Sequence, residues 1–588
     1  MTAAGRLTNL RLNRRALLRG VVVGAAGGAM APLLAACGGS TTTPTTGTSG
    51  SGATGSTATT SGTSTTSGAG ASASPTTTAS GPAPTPGGTL TLGILSEPPT
   101  MDPRVSGSAE ASDLMINLFD SLVALDRQTG ELKPGLATAW QATSDGKTYT
   151  FTLRTGVKFH DGTPFNADAV KYTYDSIVDP TLKSLSAIGA LGPYDSTDVV
   201  DEQTVKVNFK SAYAPFLNNV TSTILAPVSP TAAKTAGPAN FGIKPVGTGP
   251  FMFKEWQQKI SMTFVKNPDY AWPVGTYQHT GAAYLDQIVI KFIPEATTLN
   301  GALTSGQINI TDGVQPQQVK TLRANSSFQV LLPSVPGVPQ ILPINAAKSP
   351  TDDLQVRQAI LYAIDRKTLV NTLWFGTVKV AYGPLSSSTW SYDSKVETMY
   401  PYDPQKAAQL LDAAGWTKGS SGVREKNGQQ LELAYITDNS SIDSQAGQLV
   451  QSYLTDAGMK VNLQVLEYAA TAADYLAGKH NIARIGYTGV DPYVLTTTFS
   501  SRNITGTNFN RTMKPDATLD KMLDDATAEM DRTKRQQDYI AIQEYIMNQA
   551  LMIPLWEQTV LWGAGSSIKG LYPQSLGQIG FYDTWIAK

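Results

Sequence analysis

The chain has 588 residues, with 45 Lys and Arg against 46 Asp and Glu and a formal net charge of −1 at pH 7. That balance, with no basic cluster after the first twenty residues, argues against nucleic acid as a partner. One cysteine, Cys37, leaves no intrachain disulfide and no thiolate metal site, while nine Trp, 23 Tyr and 16 Phe supply apolar area for two or three domain cores.

The chain opens with Arg11, Arg14, Arg15 and Arg19, followed by an Ala-, Val-, Leu- and Gly-rich run to Ala36. A charged start, an apolar stretch and small residues before a cut site predict a signal peptide over residues 1–37. Residues 13–19 also resemble a twin-arginine export signal. Leu34-Ala35-Ala36-Cys37 resembles a lipobox. That resemblance implies acylation of Cys37 and anchoring to lipid on the outer face of the cytoplasmic membrane. A spanning helix is the alternative, but glycines and Pro32 break the run, which barely reaches the ~20 residues a span needs. Residues 38–87 are almost all Thr, Ser, Gly, Ala and Pro, a composition that cannot bury enough apolar surface to order itself. They are expected to be a tether with an end-to-end span of about 40 Å. Within it Gly50-Ser51-Gly52-Ala53-Thr54-Gly55 fits G-x-G-x-x-G, but no strand precedes it and no helix follows, so it carries no nucleotide reading.

After the tether, residues 89–94 alternate polar and apolar as a first strand does. A Pro-rich loop follows, then a helical pattern through Leu114, Leu118 and Leu122. Residues 148–153 and 204–209 alternate again, and Asp145-Gly146 and Asp161-Gly162 supply turn chemistry. Residues 355–373 place Val356, Ile360, Ala363, Ile364 and Val370 on one helical face. Asp403-Pro404 reads as a cap and first helical position, with Gly415 closing that helix. Residues 433–466 read as strand, helix, strand, and a last long helix over 516–550 is expected to break between Met530 and Arg535. The class is α/β with mixed sheets.

The ordered motifs along the chain are Ser96-Glu97-Pro98-Pro99-Thr100-Met101-Asp102-Pro103, Leu118-Phe119-Asp120-Ser121-Leu122, Lys133-Pro134-Gly135-Leu136-Ala137, Phe159-His160-Asp161-Gly162 and Val246-Gly247-Thr248-Gly249-Pro250-Phe251. Later come Asn267-Pro268-Asp269-Tyr270, Val356-Arg357-Gln358-Ala359-Ile360, Ala363-Ile364-Asp365-Arg366, Ala413-Ala414-Gly415-Trp416 and Gly486-Tyr487-Thr488-Gly489. Each is weak alone. In this order they resemble the family 5 extracytoplasmic solute-binding proteins that serve peptide, oligopeptide and nickel importers. The resemblance implies a two-lobed, periplasmic-binding-protein-like fold with a discontinuous first lobe. Lobe I would take residues 88–120, 239–343 and 553–588, with an inserted subdomain at 121–238, and lobe II residues 344–552. It also implies a small peptide or similar polar solute held between the lobes and handed to ABC permease subunits. The protein is expected to act as a monomer, without enzyme activity, cofactor or metal.

Candidate ligand-facing residues follow from the same resemblance: Ser106, Gly107 and Ser108 in one loop, Trp390, and the segment carrying Arg484, Tyr487, Thr488, Gly489 and Asp491. Trp390 reads equally as hinge packing. Peptide-binding relatives carry an aspartate soon after the G-[WY]-T-G run that pairs with the peptide's ammonium. Here that loop is about two residues shorter, and Asp491 matches the following Asp-Pro better. Either the shorter loop brings Asp491 into place, or the solute lacks a free amine, which opens the reading to oligosaccharides. Other residue types argue against catalysis. His160, His279 and His480 lack metal-ligand spacing, His160 and His480 are expected in solvated structural roles, Arg357 and Asp365 are expected to pair, and no G-x-S-x-G elbow is present. A sugar or metal-chelate receptor of the same fold and a surface hydrolase or signalling lipoprotein are the rival readings. Co-purified ligand separates the first, and turnover of peptide or ester substrates the second.

Overall fold

The structure is a computed structural model describing residues 83–588, apart from residue 185 and residues 506–508. The export segment, Cys37 and nearly all of the tether lie outside the described residues. Among the described residues no helix is long and apolar enough to cross a membrane.

Alternation in the first strand, Thr89–Ile94, buries Leu90 and Leu92 and leaves Thr89 outside. It pairs in parallel with Gln287–Phe292 and with Ile310–Thr311, setting Leu90 beside Ile288 and Leu92 beside Ile290. Antiparallel strands extend this into a seven-stranded mixed sheet whose members run from Thr89 to Gly565 in sequence. The fold is α/β and two-lobed, and this sheet is the frame of the first lobe.

A separate four-stranded antiparallel sheet is formed by Ala137–Ala142, Thr148–Leu153, Thr204–Phe209 and Tyr194–Asp201. On its inner side Tyr149, Phe151 and Phe209 meet Phe216 edge-to-face, with ring centroids 4.7 to 6.0 Å apart. Such pairs add about 0.5–1.5 kcal/mol each beyond their buried area.

Buried side chains fall into two large cores. One joins residues from Leu90 to Phe292 with residues from Trp562 to Tyr582. The other runs from Val338 to Trp556. The chain passes between them twice, near Ser334 and Thr559, and the two crossings bridge one another at those residues. Gly337, at the edge of the second core, has φ +116°, and a Cβ there would stand 2.6 Å from the Tyr487 carbonyl oxygen. Only glycine fits that approach.

In the second core the strands Glu432–Asp438 and Lys460–Leu466 pair in parallel around the helix Ser441–Asp456, the expected strand–helix–strand unit. The last helical region forms Ala517–Ala528 and Arg532–Asn548, with Asp531 capping the second by accepting from the Lys534 amide.

Three expectations are corrected. The helix expected to run through Leu122 stops at Met115, because the Leu118 carbonyl accepts from the Gly249 amide. Gly247 permits that approach, since a Cβ there would lie 2.1 Å from the Leu118 oxygen. Residues 355–373 form two helices, Leu354–Ala363 and Arg366–Trp374, since Asp365 leaves the helix to cap the second by accepting from the Thr368 amide. Asp365 therefore does not pair with Arg357. The buried Arg357 instead donates to the carbonyls of Thr351, Asp352 and Gln549, tying its helix to the end of Arg532–Asn548.

Candidate functional site

The two cores meet across a cavity of about 190 Å³. One wall is the turn after Val123–Leu125, where the Asp126 carboxylate accepts from the amides of Gln128 and Thr129 and shapes the loop that carries Arg127. Asn218 stands on the same side. The opposite wall is Trp390, Val490 and Arg532, and Ser334 and Pro336 of a crossing segment close the space between. A larger hollow of about 750 Å³ lies around His279 and Tyr284, but residues near the first core alone build it, so lobe movement would not enclose a solute there.

Away from the crossings the lobes touch directly. The Ala214 amide donates to the Thr527 carbonyl at 3.0 Å, and Tyr213 meets Tyr493 edge-to-face at 5.4 Å. Asn218 Nδ2 donates to Asp491 at 2.6 Å. The cavity is thus bracketed by the crossings on one side and this contact set on the other.

Of the residues singled out from the sequence, Trp390 reaches the cavity. Its indole N–H has no partner, and the Arg532 and Arg535 guanidinia lie 4.7 and 5.7 Å from its ring centre. Asp491 lies directly behind Val490 but is not a free counter-ion. It is 2% exposed, accepts from Arg535 at 2.8 and 2.5 Å, and accepts from Asn218 and the Tyr493 amide as well. Burial works against the Arg535 charge, but Asp491 and Tyr539 together more than offset it and hold the guanidinium above its usual pKa.

The other singled-out residues do not line this cavity. Arg484 pairs with Asp443 at 2.9 Å and Asp438 at 3.4 Å, neutralising its charge inside the second lobe. Tyr487 packs on Phe509, Thr488 pairs with Gly337 in the strand register, and the Gly489 amide donates to the Pro336 carbonyl. Ser108 caps the helix Ala109–Met115 by accepting from the Ala111 amide; Ser106 is buried under that turn and Gly107 is exposed. Sequence reasoning missed Arg127, Asn218, Arg532 and Arg535. The i, i+3 spacing of Arg532 and Arg535 was readable, but the acidic partner of one lies 44 positions away.

His160 and His480 are not solvated spacers. His480 is fully buried with Nε2 on the Arg511 carbonyl, and His160 sits between the Gly247 amide and the Gly249 carbonyl. Burial pushes both down to about 4, so both are neutral near pH 7. Their folded pKa lies below the unfolded value of about 6.5, so the unfolded chain takes up the proton first and stability falls as pH drops from about 6.5 toward 4. Asp120 at about 6 and Asp312 at about 7 are raised by burial and act in the opposite sense, gaining stability on acidification. A His480→Gln variant should therefore lose less stability than wild type between pH 7 and 4.5, by up to about 3 kcal/mol. Urea unfolding across that range checks it, and parallel curves would refute it. Among the described residues no group of three or more His, Cys, Asp or Glu is arranged to hold a metal ion.

Comparison with known proteins gives one consistent picture. The sequence model described as "Bacterial extracellular solute-binding proteins, family 5 Middle" matches residues 131–506. The glutathione-binding protein GsiB of Shigella flexneri is 28% identical over 482 residues, covering 80% of this chain and 90% of that protein. Heme-binding protein A of Haemophilus influenzae is 27% identical over 495 residues, covering 79% and 86%. Among solved structures, the periplasmic binding protein DppA of Helicobacter pylori with a bound peptide superposes with a TM-score of 0.73 at 26% identity, covering 86% and 99% of the two chains. NikA of Brucella suis with Fe(III)-EDTA superposes at 0.75 and 25% identity, covering 85% and 100%.

Proposed function

Since the chain belongs to the family 5 bacterial extracellular solute-binding proteins, which serve ABC importers, we propose that it captures one small polar solute in the cavity between its lobes. In this reading the closed form presents the solute to the importer's membrane subunits. The observation that carries it is a cavity walled by side chains associated with both cores, so that lobe closure completes or opens the site. Ligand contacts from both sides would stabilise the closed state, and a solute can shift the lobes only by its difference in affinity for the two states. The relatives are solute-binding proteins, which supports capture without covalent change.

The solutes named for the relatives range from glutathione and a peptide to heme and an iron chelate. The solute class therefore has to be read from this chain's own walls. Trp390 is the residue we place against the solute. Asp491 we place in the closure contact, a site role different from the ammonium clamp. Ser106, Gly107, Ser108, Arg484, Tyr487, Thr488 and Gly489 would support the cleft from outside the cavity. Native mass spectrometry of the purified protein tests the capture reading. It should show an added small-molecule mass released intact on denaturation, whereas a fragment with broken bonds would show an enzyme instead.

Acylation of Cys37, with residues 38–87 as a tether to the outer face of the membrane, is part of the same proposal and rests on the Leu34-Ala35-Ala36-Cys37 run. A Cys37→Ser variant should leave the membrane fraction. Unchanged partition into detergent phase would contradict the anchor.

A further inference from the structure

The charges on the cavity walls do not balance. Arg532, on the second-lobe side, has its guanidinium 4.7 Å from the Trp390 ring centre and no ion-pair partner among the described residues. Arg127, facing it from the first lobe, donates to the Ser334 carbonyl at 2.7 Å and the Gln574 carbonyl at 3.5 Å, and likewise has no carboxylate partner among the described residues. Two acidic groups are close enough to matter. Asp126 lines the space, with one oxygen taken up by two turn amides. Asp491, directly behind the wall, is cancelled by Arg535. What remains is two guanidinia from opposite lobes against one partly occupied carboxylate.

Like charges carried on two closing surfaces oppose closure, and a guanidinium removed from water without a counter-ion is costly. An anion placed between them reverses the sign of both effects. Guanidinium is also suited to a carboxylate, which it can meet with two parallel N–H donors, and an aromatic face beneath it keeps the fork in one orientation. Trp390 supplies that aromatic face on the same wall.

Resting on the receptor reading above, we propose that the solute carries a carboxylate, received between Arg127 of the first lobe and Arg532 of the second beside Trp390. Among the described residues the one carboxylate lining the cavity is Asp126, with one oxygen held by its own turn, against two guanidinia. The selectivity is for anionic over neutral and cationic forms of one solute.

A matched set tests this by calorimetric titration and thermal shift: Ala-Phe, N-acetyl-Ala-Phe, Ala-Phe amide and N-acetyl-Ala-Phe amide. The two acids should bind, the blocked acetyl acid at least as tightly as the free dipeptide, and the two amides should bind roughly 10- to 100-fold more weakly. Arg532→Gln should bring the acids down to the level of the amides, and Arg532→Lys should restore part of the difference. Arg532 is exposed, so both variants should fold with the wild-type unfolding midpoint in the absence of ligand. Equal binding of acids and amides, no binding by either acid, or undiminished acid binding in Arg532→Gln overturns the proposal. The receptor reading is judged separately, by whether the purified protein carries an intact solute of any charge.

Discussion

Replacing Arg535 by Met should destabilise the protein by about 3–5 kcal/mol, the range seen when one partner of a buried ion pair is removed. Arg535 is 4% exposed and Asp491 2%, and among the described residues no other cation reaches the carboxylate. Without the guanidinium, Asp491 keeps, among the described residues, the Asn218 amide and the Tyr493 N–H as donors. The Ala526 carbonyl loses its donor from Arg535 Nε as well. Removing both charges with Arg535→Met and Asp491→Leu should recover part of the loss, because the uncompensated charge is then gone. Urea unfolding at pH 7 measures all three forms. A single-variant loss under about 1 kcal/mol, the range of an exposed pair, would show that water reaches the pair.

Trp390→Ala should weaken binding of the co-purified solute by about 2–4 kcal/mol, roughly 30- to 1000-fold, as for an aromatic anchor at the centre of an interface. The indole forms one wall of the cavity and lies under two guanidinia, so its loss removes apolar area and frees Arg532 to sample other directions. Trp390→Phe keeps the stacking face but not the N–H and should retain most of the affinity. Equal affinity for wild type and Trp390→Ala would move Trp390 from the site into plain support of the adjoining helix, where Gln536 already donates to its carbonyl.

The parts of the fold that sequence made visible are those set by local chemistry. The alternation of residues 89–94 and the Asp403-Pro404 cap act within a few residues of themselves, and the structure uses each as a strand or helix boundary. What sequence hid depends on distant partners. Leu118 looked like the next turn of a helix because nothing nearby announces that Gly249, 131 positions later, takes its carbonyl. Arg357 and Asp365 looked like a pair because both are charged and close in sequence, whereas burial gives the arginine three carbonyls and the helix start takes the aspartate. The site followed the same rule. Trp390 was legible through the family resemblance, which also left it open as hinge packing. The Asn218–Asp491–Arg535 contact was not, since it joins segments that meet only after both lobes have formed.

Everything rests on two lobes that open and close around a solute. Spin labels on Cys residues placed at Lys210 and Lys521, both exposed and on opposite sides of the Ala214–Thr527 contact, report that motion by pulsed electron spin distance measurement in a Cys37→Ser background. Solute-stripped protein should give a broad or two-peaked distribution, and adding back the co-purified solute should collapse it to the shorter distance. One unchanged distance in both samples, with solute binding confirmed by thermal shift, would contradict capture by lobe closure.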